Sequence, residues 1–407
     1  MQNTSTPSPL SLTAAIAAAG LPDGVLRSVR AWLTEQLLAD TYAKLSQGGH
    51  AASQVPLRQV FVDLPVADRP MVDEPAHQAG RRRFLRLLLA SPIVSLRGAC
   101  EPGAQRTGLG DLPDMEGGPG RECFGATLLI GGPGQGKSTL AQLACQLHRA
   151  ALLRPMAAEL TTQVRELVQS FYAPPPDGGE GLVPPRSPSL PLHVALPELV
   201  SWMARAPGAT EDGGEPILLR FLADRPSARQ SDLQASTLRR LAAKLPVLLV
   251  LDGFDEVGAT ADRARVVAAA RELLQVLGEV DVRAQVLATT RPQGYAGELA
   301  NIGIALKERY LVPLQPAEAL GYGSRLVQAK IPGVDLQEKA LSRLREAAAE
   351  PSTRLLMTTP LQVTILAALV QQGRAPRLSP THRRLASWAR GVRPGVHAVA
   401  ASALASK

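Results

Sequence analysis

The chain has 407 residues, 45% of them hydrophobic and only 3% aromatic, so two or three domains can close around cores of Leu, Val, Ile and Ala. The formal charge is 44 − 36 = +8, but residues 372–407 hold seven Lys or Arg and no acid, leaving 8 − 7 = +1 elsewhere, so nucleic-acid binding by the body is not supported. Three cysteines without a CxxC pair, six histidines without ligand spacing, no basic n-region and no apolar run near the ~20 residues of a membrane span favour a cytoplasmic protein without disulfide framework, metal cluster or signal peptide.

Residues 10–45 read as one or two helices broken near Leu21-Pro22-Asp23-Gly24. Alternation of Val60, Val62 and Leu64 predicts a strand within 55–66, and 81–89 predicts a helix on which Arg81, Arg82 and Arg83 form a solvated face. The Gly-rich stretch 103–120 reads as a loop. Residues 126–130 are a short apolar strand, followed by a glycine loop and an amphipathic helix from Lys137 to about Leu153. A proline-rich linker or insertion covers 173–191, then a strand 192–196 and a helix 236–244. Five apolar residues, 247–251, predict a strand buried on both faces. Val266, Val267, Ala270, Leu273, Leu274 and Leu277 have helical spacing within 262–277, and 285–289 is another buried strand. Strands alternating with helices predict an α/β fold with a parallel sheet flanked by helices.

Beyond 310–314 the pattern turns helical and predicts a small helical subdomain. Asp335 and Glu338 have the spacing that opens a helix. Thr359 before Pro360 supplies an N-cap and a first-turn proline for the apolar run 361–370. The expected organisation is a helical region 1–54, a strand, basic helix and Gly-rich linker 55–124, a core 125–309, a helical subdomain 310–372 and a disordered basic tail 373–407.

Gly131-Gly132-Pro133-Gly134-Gln135-Gly136-Lys137-Ser138 fits G-x-x-x-x-G-K-[ST] without mismatch. Glycines let the backbone wrap phosphate oxygens with its N–H groups inward, and the following helix aims its positive end at the anion. Lys137 is expected to reach the β- and γ-phosphates and Ser138 to offer its hydroxyl to Mg²⁺, with Thr139 next in the helix. The strand before the loop and the helix after it make this a P-loop NTPase core by expectation. Asp252 ends the 247–251 strand, where open parallel sheets bind ligands, and is expected to hold Mg²⁺ directly or through water. Asp255 and Glu256 follow one turn on and could polarise an attacking water; a helix N-cap is the alternative role for Asp255. Arg291, in Ala288-Thr289-Thr290-Arg291-Pro292, could sense the γ-phosphate. The only asparagines, Asn3 and Asn301, start no N-K-x-D guanine motif, so ATP or ADP is the expected nucleotide.

Together, the 131–138 loop, Leu248-Leu249-Val250-Leu251-Asp252-Gly253-Phe254-Asp255-Glu256 and Thr290-Arg291-Pro292 resemble the NACHT family of STAND NTPases. Gly253 distinguishes them: in that family a small residue follows the Mg²⁺-binding aspartate and an acid lies three positions on, here Asp255, whereas AAA+ proteins place glutamate directly after it. Thr359-Pro360-Leu361 resembles the family proline that packs near adenine, and 191–196 and 310–314 resemble family strands, so the likeness covers roughly 55–372. The resemblance implies an ADP-held switch of slow hydrolysis. It further implies that a trigger ligand or protein would admit ATP, that the chain would then self-associate, and that an N-terminal effector would act in defence or regulation. The chain departs from that pattern: no repeat or sensor follows the helical region, and the N-terminal helices carry no nuclease or protease motif. The acid-free tail is either a flexible native tail or a truncated or frame-shifted reading of a longer protein. A nucleotide-stabilised scaffold and an AAA+-like ATPase are the other functional expectations.

Overall fold

The computed structural model describes residues 11–42, 55–70, 82–90, 93–96, 125–173, 182, 184–185, 187–205, 214–354 and 356–371. Arg81, Cys100, Cys123, the 103–120 loop and the 373–407 tail lie outside them. The described residues fall into two compact units, the first running to Val312 and the second starting at Pro313 and also taking Val55 and Gln59–Val62.

The chain opens with helices α1 (Leu12–Ala18), α2 (Asp23–Ala39) and α3 (Leu57–Val60), then strands β1 (Pro65–Ala67) and β2 (Arg82–Arg83), helix α4 (Phe84–Ala90) and strand β3 (Val94–Ser95). Next come β4 (Ala126–Ile130), α5 (Lys137–Leu153), α6 (Thr162–Ser170), β5 (Leu190–Ala195), α7 (Leu196–Arg205), α8 (Ile217–Asp224), α9 (Pro226–Gln230) and α10 (Ala235–Ala242). Strand β6 (Val247–Asp252), α11 (Thr260–Glu279), β7 (Arg283–Thr290) and β8 (Lys307–Leu311) follow, and with the exception of Gln59 and Val60 of α3 these elements lie in the first unit. The second holds α12 (Pro316–Lys330), α13 (Val334–Ala349), α14 (Pro351–Arg354) and α15 (Pro360–Gln371).

Seven strands lie in the order β2-β1-β8-β4-β7-β6-β5, and β3 pairs with β7 off this row. The five strands from β8 to β5 are mutually parallel. Strands β4 and β6 are buried at every position, as their mainly apolar sequences dictate, and helices flank the sheet. β7 stands between β4 and β6, so the loops leaving all three strands open on one edge of the sheet. The sheet is not wholly parallel: β1 pairs antiparallel with β2 and β8, and β3 with β7.

Four local expectations need correction. The 55–66 strand is instead the turn of helix α3 followed by the short β1, because the buried Leu57, Val60, Phe61 and Leu64 have spacings of three, four and seven, a helical rather than alternating pattern. Arg82 and Arg83 form strand β2 rather than a solvated helix face, and Arg83 Nη1 donates to the Asp63 carbonyl at 2.7 Å. The last strand begins at Lys307, three residues earlier than expected, since its exposed Lys307 and Glu308 mask the apolar signal. Leu196 opens α7 rather than closing β5.

Helix α5 also differs from an ordinary amphipathic helix. Its polar Gln142, Gln146, His148 and Arg149 are all buried. Three of them are buried because they serve the C-terminal end of α2. Gln146 Nε2 donates to the Leu37 carbonyl at 2.7 Å, Gln142 Nε2 to the Asp40 carbonyl at 2.8 Å, and Arg149 pairs with the Asp40 carboxylate at 2.7 Å. The end of α1 is served likewise, with Arg240 donating to the carbonyls of Ala19 and Gly20 at 2.7 and 2.8 Å. Both helix ends thus have their orphan carbonyls satisfied by the sheet unit itself. The break between α1 and α2 falls at Gly20, whose φ of +61° suits glycine, and Pro22.

In the second unit α12 packs closely at Gly323 on both α13 and α15, where a Cβ would meet Leu344 of α13 at 2.9 Å and Val363 of α15 at 3.2 Å. Tyr322 of α12 and Thr364 of α15 share a hydrogen bond of 3.0 Å. Pro360 opens α15. Thr359 Oγ1 accepts from the Gln362 N–H at 3.3 Å while Gln362 Oε1 accepts from the Thr359 N–H at 3.1 Å, a reciprocal cap. Asp335 stands in the first turn of α13 behind an N-cap at Gly333.

Candidate functional site

Strand β4 ends at Ile130 and the chain turns at once into the glycine loop. The Gly131 N–H donates to the Thr290 carbonyl at 3.1 Å, tying the loop entrance to the end of β7. A side chain at Gly131 would meet Gln135 Oε1 at 2.7 Å and Leu311 Cδ1 at 2.9 Å, so the entrance is tightly packed and both side chains would have to move to admit one. Gly134 and Gly136 have φ of +70° and +87°, the left-handed conformation that turns successive N–H groups to one side. Gln135 takes part as a side chain, its Oε1 accepting from the Gly132 N–H at 2.6 Å.

Helix α5 then starts without a capping side chain and with no acid in its first turn. Its first backbone bond is from Leu140 N–H to the Gly136 carbonyl at 2.9 Å, so the N–H groups of Lys137, Ser138 and Thr139 have no intrahelical acceptor. Lys137 Nζ folds back to donate to the carbonyls of Gly131 at 2.7 Å and Gly132 at 3.2 Å. Burial lowers the pKa of this ammonium against the raising influence of Asp255; Arg291 lowers it further, and Asp252 and Glu256 raise it.

Asp252 is the last residue of β6 and is buried. Its Oδ1 accepts from Ser138 Oγ at 3.1 Å and from Thr289 Oγ1 at 2.5 Å. The Thr289 hydroxyl oxygen in turn accepts from the Gly253 N–H at 2.9 Å, clamping the ends of β6 and β7 together. His193, on the neighbouring β5, brings Nε2 to 3.9 Å from Asp252 Oδ2, an electrostatic contact too long for a direct hydrogen bond. Burial pushes the Asp252 carboxyl up, but the hydroxyls of Thr289 and Ser138, and His193 whenever its ring carries a proton, outweigh it and hold the pKa below its ordinary value, so the carboxylate is ionised at neutral pH.

Gly253, at φ +84°, turns the chain into the 3-10 turn Phe254–Glu256. Phe254 anchors that turn: it is fully buried, with the Tyr295 ring edge-on at 6.3 Å and the Arg263 guanidinium at 5.5 Å. Asp255 is thereby held facing Arg291. Its Oδ1 accepts from the Arg291 N–H at 3.1 Å and its Oδ2 pairs with Arg291 Nε at 2.9 Å. Arg291 Nη2 also reaches Glu256 at 3.7 Å, a side chain that stays 55% exposed where Asp255 is 7% exposed. The close approach of Gly294 to Asp255 completes this corner.

The geometry therefore assembles Lys137, Ser138, Asp252, Asp255, Glu256 and Arg291 along one edge of the sheet. Pro360 belongs to the second unit. Sequence reasoning missed the part played by three residues. Thr289 bridges Asp252 and Gly253, and a hydroxyl ending an apolar strand was the available signal. His193 is likewise a polar residue within the apolar Leu190–Ala195 strand. Gly294 carried no signal, because its need for glycine arises only from the proximity of Asp255. Neither a protein-family model nor a curated protein matches this chain.

Among the described residues no group of three or more His, Cys, Asp or Glu side chains could hold a metal ion. An uncapped helix start, an ammonium and one hydroxyl–carboxylate pair instead fit a polyphosphate with Mg²⁺, a cation that takes one or two protein oxygens and fills its shell with phosphate oxygens and water. No described helix is long and apolar enough to cross a membrane.

Proposed function

We propose that this chain is an ATP-binding P-loop NTPase that hydrolyses slowly and works as a switch of the NACHT type, in defence or regulation. The observation that carries the reading is the meeting of Lys137, Ser138 and Asp252, with Ser138 Oγ and Asp252 Oδ1 3.1 Å apart beside the uncapped start of α5. Residues 131–139 would cradle the phosphates with backbone N–H groups, and Lys137 would exchange the Gly131 and Gly132 carbonyls for phosphate oxygens. Ser138 and Asp252 would hold Mg²⁺. That cation, when bound, neutralises charge that builds on the phosphate oxygens. Glu256, the more exposed acid, is the freer group to orient a water, while Arg291 keeps Asp255 fixed beside it. The NACHT resemblance extends the proposal to Pro360 near the adenine, to self-association with ATP, to a trigger ligand or protein, and to a cytoplasmic site.

One observation favours a second reading, a scaffold held in shape by nucleotide without turnover: both Asp255 oxygens are already engaged by Arg291. Phosphate release from ATP separates the two. The switch reading expects slow release by the unmodified protein and a drop of at least about tenfold in Asp255→Ala, since the Asp255–Arg291 pair fixes the turn that positions Glu256, and misplacing a reacting group by about 1 Å can cost ~100-fold. Equal release at background by both proteins would leave only the scaffold.

A further inference from the structure

Asp252 uses its two oxygens unequally. Oδ1 is taken by the hydroxyls of Ser138 and Thr289 at 3.1 and 2.5 Å. Oδ2 faces His193 Nε2 at 3.9 Å. That imidazole nitrogen is buried and has no hydrogen-bond partner. Native proteins keep few buried polar atoms unpaired, and those that remain ask for a ligand or a water to complete them.

The strands set this arrangement. β5 and β6 are parallel, with His193 opposite Val250 and Ala195 opposite Asp252. His193 and Asp252 are thus two residues apart in register and share one face of the sheet. Ala195, level with Asp252, has only a methyl group and does not block the imidazole's reach. One water about 2.8 Å from both Nε2 and Oδ2 would span the gap at an angle near 90°, close to a water's own bond angle. A water bound to Mg²⁺ has both hydrogens free to donate, and a neutral imidazole nitrogen and a carboxylate oxygen are the two acceptors it needs.

We infer that His193 is a positioning residue for the divalent cation, accepting a hydrogen bond from a metal-bound water that Asp252 Oδ2 holds from its other side. The inference rests on Asp252 being the cation's anchor. It assigns β5 a part in the site that neither the phosphate loop nor the acidic strand end requires.

The test is Mn²⁺ binding, followed by electron paramagnetic resonance on the full chain with ADP, alongside ADP affinity measured in EDTA. His193→Leu should weaken Mn²⁺ about tenfold, the low end of what losing an outer-shell partner costs a metal site, and leave metal-free ADP affinity unchanged. His193→Gln, whose amide oxygen reaches about as far as Nε2, should recover to within about threefold of the unmodified protein. His193→Asn, polar but shorter, should behave as His193→Leu and serves if the leucine variant does not fold. Mn²⁺ affinity unchanged in either folded variant overturns the inference, as does equal loss in Gln, Asn and Leu variants, which marks a packing role. Asp252→Asn separates this from the reading beneath it: Mn²⁺ lost there but kept in the His193 variants rejects His193 alone, whereas Mn²⁺ kept in Asp252→Asn rejects the cation site itself.

Discussion

A single methyl group at position 294 should uncouple nucleotide binding from turnover. A Cβ built on Gly294 would lie 2.5 Å from Asp255 Cβ and 3.0 Å from Asp255 Cα. Neither atom can swing away by a rotamer change, so one backbone segment must move. Carbon atoms pack at about 3.5 Å, which makes the shift roughly 1 Å. The bonds from Arg291 to Asp255 stand at 3.1 and 2.9 Å, and lengthening either by that amount takes it beyond hydrogen-bonding range. Gly294→Ala should therefore lose about 1–3 kcal/mol of stability, the usual cost of overpacking. Phosphate release should fall by up to ~100-fold, as a 1 Å misplacement of a catalytic group does. Apart from its chain neighbours, the three atoms nearest the added Cβ all belong to Asp255 and none to the loop or the start of α5, so ATP affinity should stay within about threefold. Urea unfolding, equilibrium ATP binding and phosphate release on one preparation measure all three. A Gly294→Ala protein with unmodified stability and turnover would show that Asp255 and residues 292–294 are not packed as described.

His148 gives an acid-sensitive contribution to stability. Its Nδ1 accepts from the Ser189 N–H at 3.0 Å, and burial pushes its pKa from 6.5 down to about 3. The unfolded chain takes up this proton near pH 6.5 and the folded one only near pH 3, so unfolding binds a proton in between. The contribution is whole above pH 6.5, falls as pH drops toward 3, and is at most about 5 kcal/mol. His148→Asn, which keeps an acceptor but not the titration, should flatten the stability–pH profile in that window; an unchanged profile would mean His148 is not the group responsible. The Asp40–Arg149 pair makes a third case, because Arg149 is 2% exposed. Asp40→Ala should cost about 3 kcal/mol by stranding a buried charge, while Asp40→Leu with Arg149→Leu should cost clearly less. Equal losses in urea unfolding would argue that the pair is not buried as a unit.

Much of the sheet was legible because buried parallel strands carry apolar runs: residues 247–251 are all apolar, and 286–288 form the apolar centre of Arg283–Thr290. The loop was legible because its glycine and lysine positions are set by local backbone geometry. The small antiparallel flank was not: β1 and β2 span three and two residues, too short for any periodicity to register. The buried polar face of α5 was equally hidden, since Gln142, Gln146 and Arg149 look like solvated residues until α2 is placed against them. At the site, single residues such as Lys137 and Asp252 announced themselves by type and spacing. Thr289, His193 and Gly294 did not, because each matters through a neighbour brought near by the fold rather than by the chain.

The central claim is that the 131–138 loop binds ATP through Lys137. Thermal unfolding with and without Mg²⁺-ATP tests it most directly, comparing the unmodified protein with Lys137→Ala. A bound nucleotide at about 100 times its Kd adds roughly 2.7 kcal/mol to stability. The account predicts a clear upward shift of Tm for the unmodified chain and none for Lys137→Ala at the same ATP concentration. An equal shift in both proteins, or no shift in either at millimolar ATP, would contradict it.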